Sequence, residues 1–247
     1  MTIDQGRQFM KSGWDRESLH GTDQANKVPA PPFEDAFDET ALIALPDPQS
    51  APLAQRDIVA VMAGRRSRRL LDEQAPISAE ALSFLLWATQ GVREVKGGRI
   101  FRTVPGAGSR HPYETYLYIS RVTGFAPGIY RYIGTRNALL PVRLAEPEVL
   151  QGHLTDAMFG QWFHCAVALF WVCNPYRAEW RYADCAHKMA LLDAGHIAQN
   201  GYLAAEALGL GCCAIGAYVQ EPLDALLGVD GSEEFTCYAA VFGVEKG

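Results

Sequence analysis

The sequence predicts an α+β protein, a sheet covered by helices. Three observations carry that class. Helix-period segments and strand-like segments are mixed without a regular strand–helix–strand rhythm. "YETYLYISRV", "TGFAPG" and "IYRYI" read as a strand, a turn and a returning strand. Residues 166–173 are continuously apolar over strand length, while residues 182–208 hold a long helical pattern that is apolar on nearly every side.

The elements follow in chain order. Residues 1–50 have little periodicity, and the proline- and acid-rich stretch "VPAPPFEDAFDETALIALPDPQSAPLAQ" reads as an extended arm lying over a body formed by residues 51–247. "DIVAVMAGRRSRR" reads as a short helix running into a basic segment. "APISAEALSFLLWATQG" is a well-signalled helix: Ser78 can cap it, Leu82, Leu85, Leu86 and Thr89 share a face, and Gly91 stops it. "VREVKGGRIFRTVPGAGSRHP" reads as a loop punctuated by glycine and proline. After the hairpin, "NALLPVRL" offers a third strand, "EPEVLQGHLTDAMFG" a helix, and residues 165–173 a buried strand. The pattern "YADCAHKMALLDAGHIAQNGYLAAEAL" is expected to be a central helix buried on most faces, ended by Gly209 and Gly211. "GLGCCAIGAYVQ" reads as a loop, "EPLDALLGV" as a short helix and "TCYAAVFGV" as the last strand.

Composition narrows the function classes. The chain has 247 residues, 49% of them hydrophobic, and a net charge of −6. That is enough chain to bury a sizeable core. The acidic balance argues against nucleic acid or an anionic membrane as partner, since both need a broad basic surface. No apolar run reaches the ~18 residues of a membrane span, and "MTIDQGRQFMKSGWDRE" lacks the apolar core of a signal peptide. The six cysteines (Cys165, Cys173, Cys185, Cys212, Cys213, Cys237) match neither a zinc site nor a disulfide framework. They read as reduced thiols of a cytoplasmic enzyme, and no metal is expected.

One segment stands against this acidic background. "GRRSRRLL", residues 64–71, puts four arginines around one serine. A solvated turn, a nucleic-acid patch and an anchor for a phosphate-bearing cofactor are the three readings. The net charge and the lack of interleaved aromatics disfavour the second. Arginine suits the third, because its planar fork makes paired, charge-assisted bonds to phosphate oxygens. Neither the glycine-rich dinucleotide fingerprint nor the phosphate loop ending in Gly-Lys-Ser/Thr is present, so a bound phosphate would be held by side chains.

Five blocks in order, "RRSRR", "LSFLLWATQG", "RTVPGAGSRHPYETYLYI", "PGIYRY" and "LLDAGHIAQNGYLAAEALGLGCCAIGAY", resemble the flavin-dependent nitroreductase superfamily over residues 57–244. Within it the chain is most similar to the azoline dehydrogenase branch acting on streptolysin-type and thiazole/oxazole-modified peptides. The resemblance implies a mixed sheet covered by helices, an intertwined homodimer, and FMN in a cleft at the subunit interface.

It also implies roles. Among the basic residues Arg65, Arg66, Ser67 and Arg69, Arg65 should reach the phosphate and Ser67 the phosphate or ribityl chain. Arg69 should sit by N1 and O2 of the ring. Arg66 and Arg68, at alternate positions, are expected to face solvent. The loop with Pro105, Gly106, Ala107 and Ser109 matches a segment that covers the flavin from the partner subunit. Many relatives have serine where this chain has Gly106, so any contact there is through backbone. Ile215, Gly216 and Ala217 fall where main-chain amides meet flavin N5 and O4, and Lys246 is the C-terminal cation available for the phosphate. Asp193 and His196 are expected to be core polar residues rather than a catalytic pair. Asn200 could bond backbone or cofactor, and His111 and Glu114 could serve substrate or tie the loop to the following strand. Cys212 and Cys213 are expected to be buried and idle.

The implied activity is FMN-dependent hydride transfer through N5, in ping-pong fashion, from NAD(P)H to a quinone- or nitro-type acceptor. The alternative is oxidation of an azoline in a modified peptide. That branch has a Lys-Tyr pair before the central helix, where this chain has Arg181-Tyr182, and arginine stays protonated and cannot act as a base. A flavin-free interaction protein is the alternative of another class.

Overall fold

In the computed structural model the described residues are 2–12, 14, 20–55, 57–145 and 147–247. Parts of the polar N-terminal stretch, and Glu146 at the head of one expected helix, therefore lie outside the described residues.

Nine strands and seven α-helices follow one another among the described residues. The order is α1 (Ile3–Met10), β1 (Ile43–Ala44), α2 (Ile58–Gly64), α3 (Ala79–Gln90), β2 (Val92–Lys96), β3 (Arg99–Arg102), β4 (Tyr113–Ile119), β5 (Gly128–Ile133) and β6 (Ala138–Leu144). There follow α4 (Pro147–Ala157), β7 (Val167–Cys173), α5 (Tyr176–Tyr182), α6 (Ala186–Leu208), β8 (Gly211–Ile215), α7 (Gln220–Leu227) and β9 (Phe235–Gly243). Seven strands form one sheet in the order β1-β6-β5-β4-β7-β9-β8, and every ladder in it is antiparallel. The fold class is α+β.

Alternation along the strands divides the core. Leu117, Leu169, Trp171, Ala240 and Phe242 point to one face, under α3 and α6. Tyr116, Tyr118, Phe170, Ala239 and Val241 point to the other, under α4 and α7. The strand β7 is apolar throughout because it lies mid-sheet with helices on both sides. Helix α3 follows its signals: Ser78 accepts from the Ala81 N–H at 3.1 Å, Gly91 ends it, and Leu82, Leu85, Leu86 and Thr89 are fully buried.

Four expectations are corrected. The stretch read as a loop after α3 contains the hairpin β2–β3, whose turn residues Gly97 and Gly98 have φ of 58° and 70°. Paired positive φ is what a two-residue hairpin turn needs. The stretch read as a loop after α6 contains β8, which gains its conformation by pairing with β9. The central helix starts later than its pattern suggested, because Ala183 (φ 46°) separates α5 from α6. Its outer face is also open: Leu191 is 50% and Leu192 51% exposed, and Gly195, His196 and Gln199 are exposed beside them.

The N-terminal segment holds α1, closed by a Thr2–Gln5 capping box, and then crosses α5. The Gln24 N–H donates to the Trp180 carbonyl at 2.8 Å, and Trp180 Nε1 donates to the Val28 carbonyl at 2.9 Å. Further on, the Asp35 carboxylate takes Arg177 Nη2 at 2.5 Å, and Glu114 takes both that nitrogen (2.7 Å) and the Asp35 N–H (3.0 Å).

Candidate functional site

The outer strand β8 has one free side, and the basic segment runs along it. The Arg68 N–H donates to the Cys212 carbonyl at 2.8 Å, and the Lys246 N–H donates to the Leu70 carbonyl at 2.9 Å. Residues 65–71, the end of β8 and the last residues of the chain thus form one strip. It contains Arg65, Arg66, Ser67, Arg69, Ile215, Gly216, Ala217 and Lys246.

The four arginines of the strip are used differently. Arg66 is exposed and turns back to the end of α2, donating to the Ala63 and Arg65 carbonyls at 2.8 Å each. Arg68 is not solvent-facing, contrary to expectation from its alternate position. It is part-buried and pairs with Glu206 of α6 and, at 2.9 Å, with Glu245. Arg65 and Arg69 have no acidic partner among the described residues, and the Arg65 guanidinium lies 5.3 Å from the centroid of the Tyr202 ring. The Tyr202 hydroxyl shares a 2.8 Å hydrogen bond with Ser67 Oγ and accepts the Ala214 N–H at 2.9 Å. Beyond β8, Gly216 and Ala217 are exposed, and neither main-chain N–H has an acceptor among the described residues. Ile215 is buried.

A second group gathers at the start of α6. The Pro105–Ser109 loop is held by Asp193, whose carboxylate accepts the Ala107 N–H at 3.0 and 3.2 Å. Gly108 sits at φ 54° against the Tyr182 hydroxyl and the Arg181 guanidinium, where a side chain would collide with both. At Gly106 a Cβ would stand 2.6 Å from His111 Nδ1, so the buried His111 ring fills the space that a serine there would need. The N-terminal segment reaches this group as well. Arg181 Nη1 donates to Gln24 Oε1 at 3.1 Å, and Trp14 meets the Tyr182 ring edge-on with centroids 5.5 Å apart.

Burial sets the protonation here. Asp193 is pushed up to about 6 by burial, against the opposing Ala107 N–H and the His196 charge. His111 is pushed down to about 3 by burial and then by the Arg102 and Arg110 charges. Glu114 is also raised by burial, although Arg177 opposes it. Glu114 thus ties the strand to the N-terminal segment, and the buried His111 ring packs against the loop at Gly106. Asn200 donates to the Ala88 carbonyl at 2.9 Å, a backbone bond. Cys212 and Cys213 are buried on opposite faces of the sheet.

The two groups are separated within one chain. Asp193, at the loop, and Tyr202, at the strip, are nine residues apart on α6. At 1.5 Å and 100° per residue they stand roughly 13 Å apart along the axis and on opposite faces. Tyr202, Asp35, Gln24 and Trp14 were missed by the sequence reading. Only Tyr202 left a trace, as the sole aromatic of an alanine-rich helix.

Among the described residues no group of three or more His, Cys, Asp or Glu could hold a metal ion, and no helix is long and apolar enough to cross a membrane. The model of the nitroreductase family matches residues 62–244, from the end of α2 through β9. The chain belongs to the nitroreductase family. This nitroreductase-family chain is 34% identical over 192 residues, 76% of its length and 90% of the relative's, to MJ1384 of Methanocaldococcus jannaschii, a nitroreductase candidate by its name. Among solved structures it resembles one of a nitroreductase candidate from Ralstonia eutropha JMP134, with a TM-score of 0.68, 24% identity and cover of 89% of this chain and 99% of that one. It also resembles a chain of the Escherichia coli microcin synthetase McbBCD complex with truncated pro-MccB17 bound, with a TM-score of 0.64, 18% identity and cover of 99% and 87%.

Proposed function

We propose that this chain is an FMN-dependent oxidoreductase whose flavin site is completed by a second copy. The observation that carries the reading is the β8 strip on one edge of an acidic protein: a serine hydroxyl, with two arginines that have no acidic partner and two main-chain N–H groups that have no acceptor among the described residues. Such an edge suits a phosphate at one end and a polar ring at the other. Pairing the charge of Arg65 and Arg69 with an anion would relieve a local excess that the described residues do not neutralise.

Bound FMN would supply the hydride chemistry at N5, between NAD(P)H and a quinone- or nitro-type acceptor. The chain's own residues then divide the work. Arg65 and Ser67 hold the phosphate, with Lys246 as a further cation. Arg69 places positive charge where a reduced flavin gathers negative charge, at N1 and O2. Gly216 and Ala217 offer amides to N5 and O4. The Pro105–Ser109 loop of the second copy covers the ring. Tyr182 of that second copy lies beside the loop, and its hydroxyl gives the acceptor a proton.

A second reading has a specific observation behind it. Tyr182 keeps its place against the loop, and a fold neighbour belongs to a complex with a truncated pro-peptide bound. Oxidation of an azoline in a modified peptide would use that same position. It needs a base there, and Arg181 cannot be one. Reduction therefore stands first. A cytosolic setting accords with cysteines whose spacing matches no disulfide framework.

The absorption spectrum of the purified protein tests the proposal. Flavin bands are expected, with FMN released on denaturation. A colourless protein that takes up no FMN in titration would return it to the flavin-free interaction class.

A further inference from the structure

At the ends of β7 and β9 the register shifts. Trp171 faces Tyr238 but Val172 faces Thr236, so Cys237 is the extra residue of a bulge. A bulge re-aims side chains that strict alternation would send elsewhere. Cys237 accordingly joins Cys173, Trp171, Phe235 and Tyr238 on the face beneath α6. There Cys173, Cys237 and Tyr113 neighbour one another, and the Tyr113 hydroxyl donates to the Ala190 carbonyl at 2.9 Å. Both cysteines line a cavity of about 220 Å³ whose other walls include Pro175, Ala178 and Phe235. Cys173 is 2% exposed, whereas Cys237 is part-exposed.

The two sulfurs are unequal. The neighbouring Cys173 thiol holds the Cys237 thiol below its ordinary value, while Cys237 and burial push Cys173 up. The more accessible sulfur is therefore the better nucleophile, and the buried one is the partner that can resolve it. Cys212 and Cys213 offer no such pair, since they point to opposite faces of the sheet.

We propose that Cys173 and Cys237 form a reversible two-thiol site for a small hydroperoxide, closing to a cross-strand disulfide. The Cys237 thiolate attacks the terminal peroxide oxygen. The O–O bond breaks, the departing oxygen takes up a proton and leaves as alcohol or water, and Cys237 becomes a sulfenic acid. The Cys173 sulfur then attacks the Cys237 sulfur, its proton leaves with the hydroxyl as water, and the S–S bond forms. Two thiols lose two electrons in all, and the hydroperoxide gains them. The apolar cavity admits a reagent of this size and keeps charged oxidants out.

The test uses the full chain exposed to hydrogen peroxide, quenched with an alkylating agent under denaturing conditions and mapped by mass spectrometry. The count of alkylatable thiols should fall by two from six per chain, with one linked peptide pair containing Cys173 and Cys237 that dithiothreitol separates. Cys173→Ser should leave a sulfenic acid at Cys237 that dimedone traps, and Cys237→Ser should leave Cys173 reduced. Six surviving thiols, a disulfide between other cysteines, or sulfonic acid at Cys237 with Cys173 still reduced would each overturn the proposal. The map of the unaltered chain decides the matter even where a variant fails to fold.

Discussion

Ser67 of the basic segment and Tyr202 of α6 join hydroxyl to hydroxyl at 2.8 Å. The same Tyr202 oxygen accepts the Ala214 N–H of β8, and its ring lies under Arg65. One side chain therefore sets the spacing between the segment read as phosphate-binding and the strand that leads to Gly216. Tyr202→Phe keeps the ring under Arg65 but removes both hydrogen bonds. It should cost about 1–2 kcal/mol of stability and weaken FMN binding, read by denaturant melts and flavin titration. Full retention of both would show that the strip is held together without Tyr202.

Neighbouring arginines of the strip should separate by phenotype. Arg65→Ala should weaken FMN binding by ~1.5–3 kcal/mol, roughly tenfold to more than a hundredfold, with little loss of stability. Arg68→Ala should do the reverse, because Arg68 is committed to Glu206 and Glu245. Those pairs are partly solvated, so about 1 kcal/mol of stability is the expected loss. Equal flavin affinities in the two variants would remove the phosphate role given to Arg65.

How far the sequence spoke depended on whether a signal was local. Ser78 and Gly91 mark α3 because a cap and a stop act within a turn of the helix they bound. The hairpin β2–β3 was missed because Arg93–Lys96 is exposed and carries no apolar alternation, leaving Gly97-Gly98 as its sole sign. Strand β8 is glycine- and cysteine-rich and becomes a strand through β9. In the site, the basic segment was legible as a charge run. The commitment of Arg68 was not, since its partner Glu206 is 138 residues away. The N-terminal contacts of Gln24 and Trp14 with Arg181 and Tyr182 are equally non-local.

The separation of loop and strip along α6 makes assembly testable. A single chain presents Asp193 and Tyr202 on opposite sides of the helix, so one small ligand can meet both groups only through a second copy. Light scattering should report a dimer, and the open face of Leu192, Gly195 and Gln199 is the surface that would meet the second copy. A folded monomer that keeps its flavin would end the shared-site reading, together with the roles given to Gly106 and Ser109.

Asp193 should make stability depend on pH in a defined window. Its carboxyl is held at about 6 in the fold, against about 3.9 in an unfolded chain. The folded state binds the proton more tightly, so this contribution is complete below about pH 4 and is lost as pH rises through about 6. Asp193→Asn keeps an acceptor for the Ala107 N–H without the buried charge. It should be more stable than the parent by about 2 kcal/mol at pH 7.5, and the gap should narrow on acidification to about pH 4. A gap of the same size at both pH values, measured by denaturant melts, would contradict the assignment.

The choice between reduction and azoline oxidation rests on Arg181 and Tyr182. Both stand against Gly108 in the loop, and Gln24 fixes the arginine from the N-terminal side. Oxidising an azoline removes a ring proton as hydride departs, which requires a base at the substrate. Arg181 cannot take that proton, and Tyr182 would first have to lose its own. Reducing a quinone or nitro group asks instead for a proton donor, which a tyrosine hydroxyl or water supplies. NADH or NADPH should therefore bleach the bound flavin, and a quinone or nitroaromatic should restore its colour. Tyr182→Phe should slow that restoration by about tenfold to a hundredfold, the low end of general-acid contributions because water can substitute. An azoline peptide should turn over slowly, and Arg181→Lys should raise that rate, since lysine can be tuned to act as a base. Rapid azole formation by the unaltered protein, with no bleaching by either nicotinamide, would put peptide oxidation first.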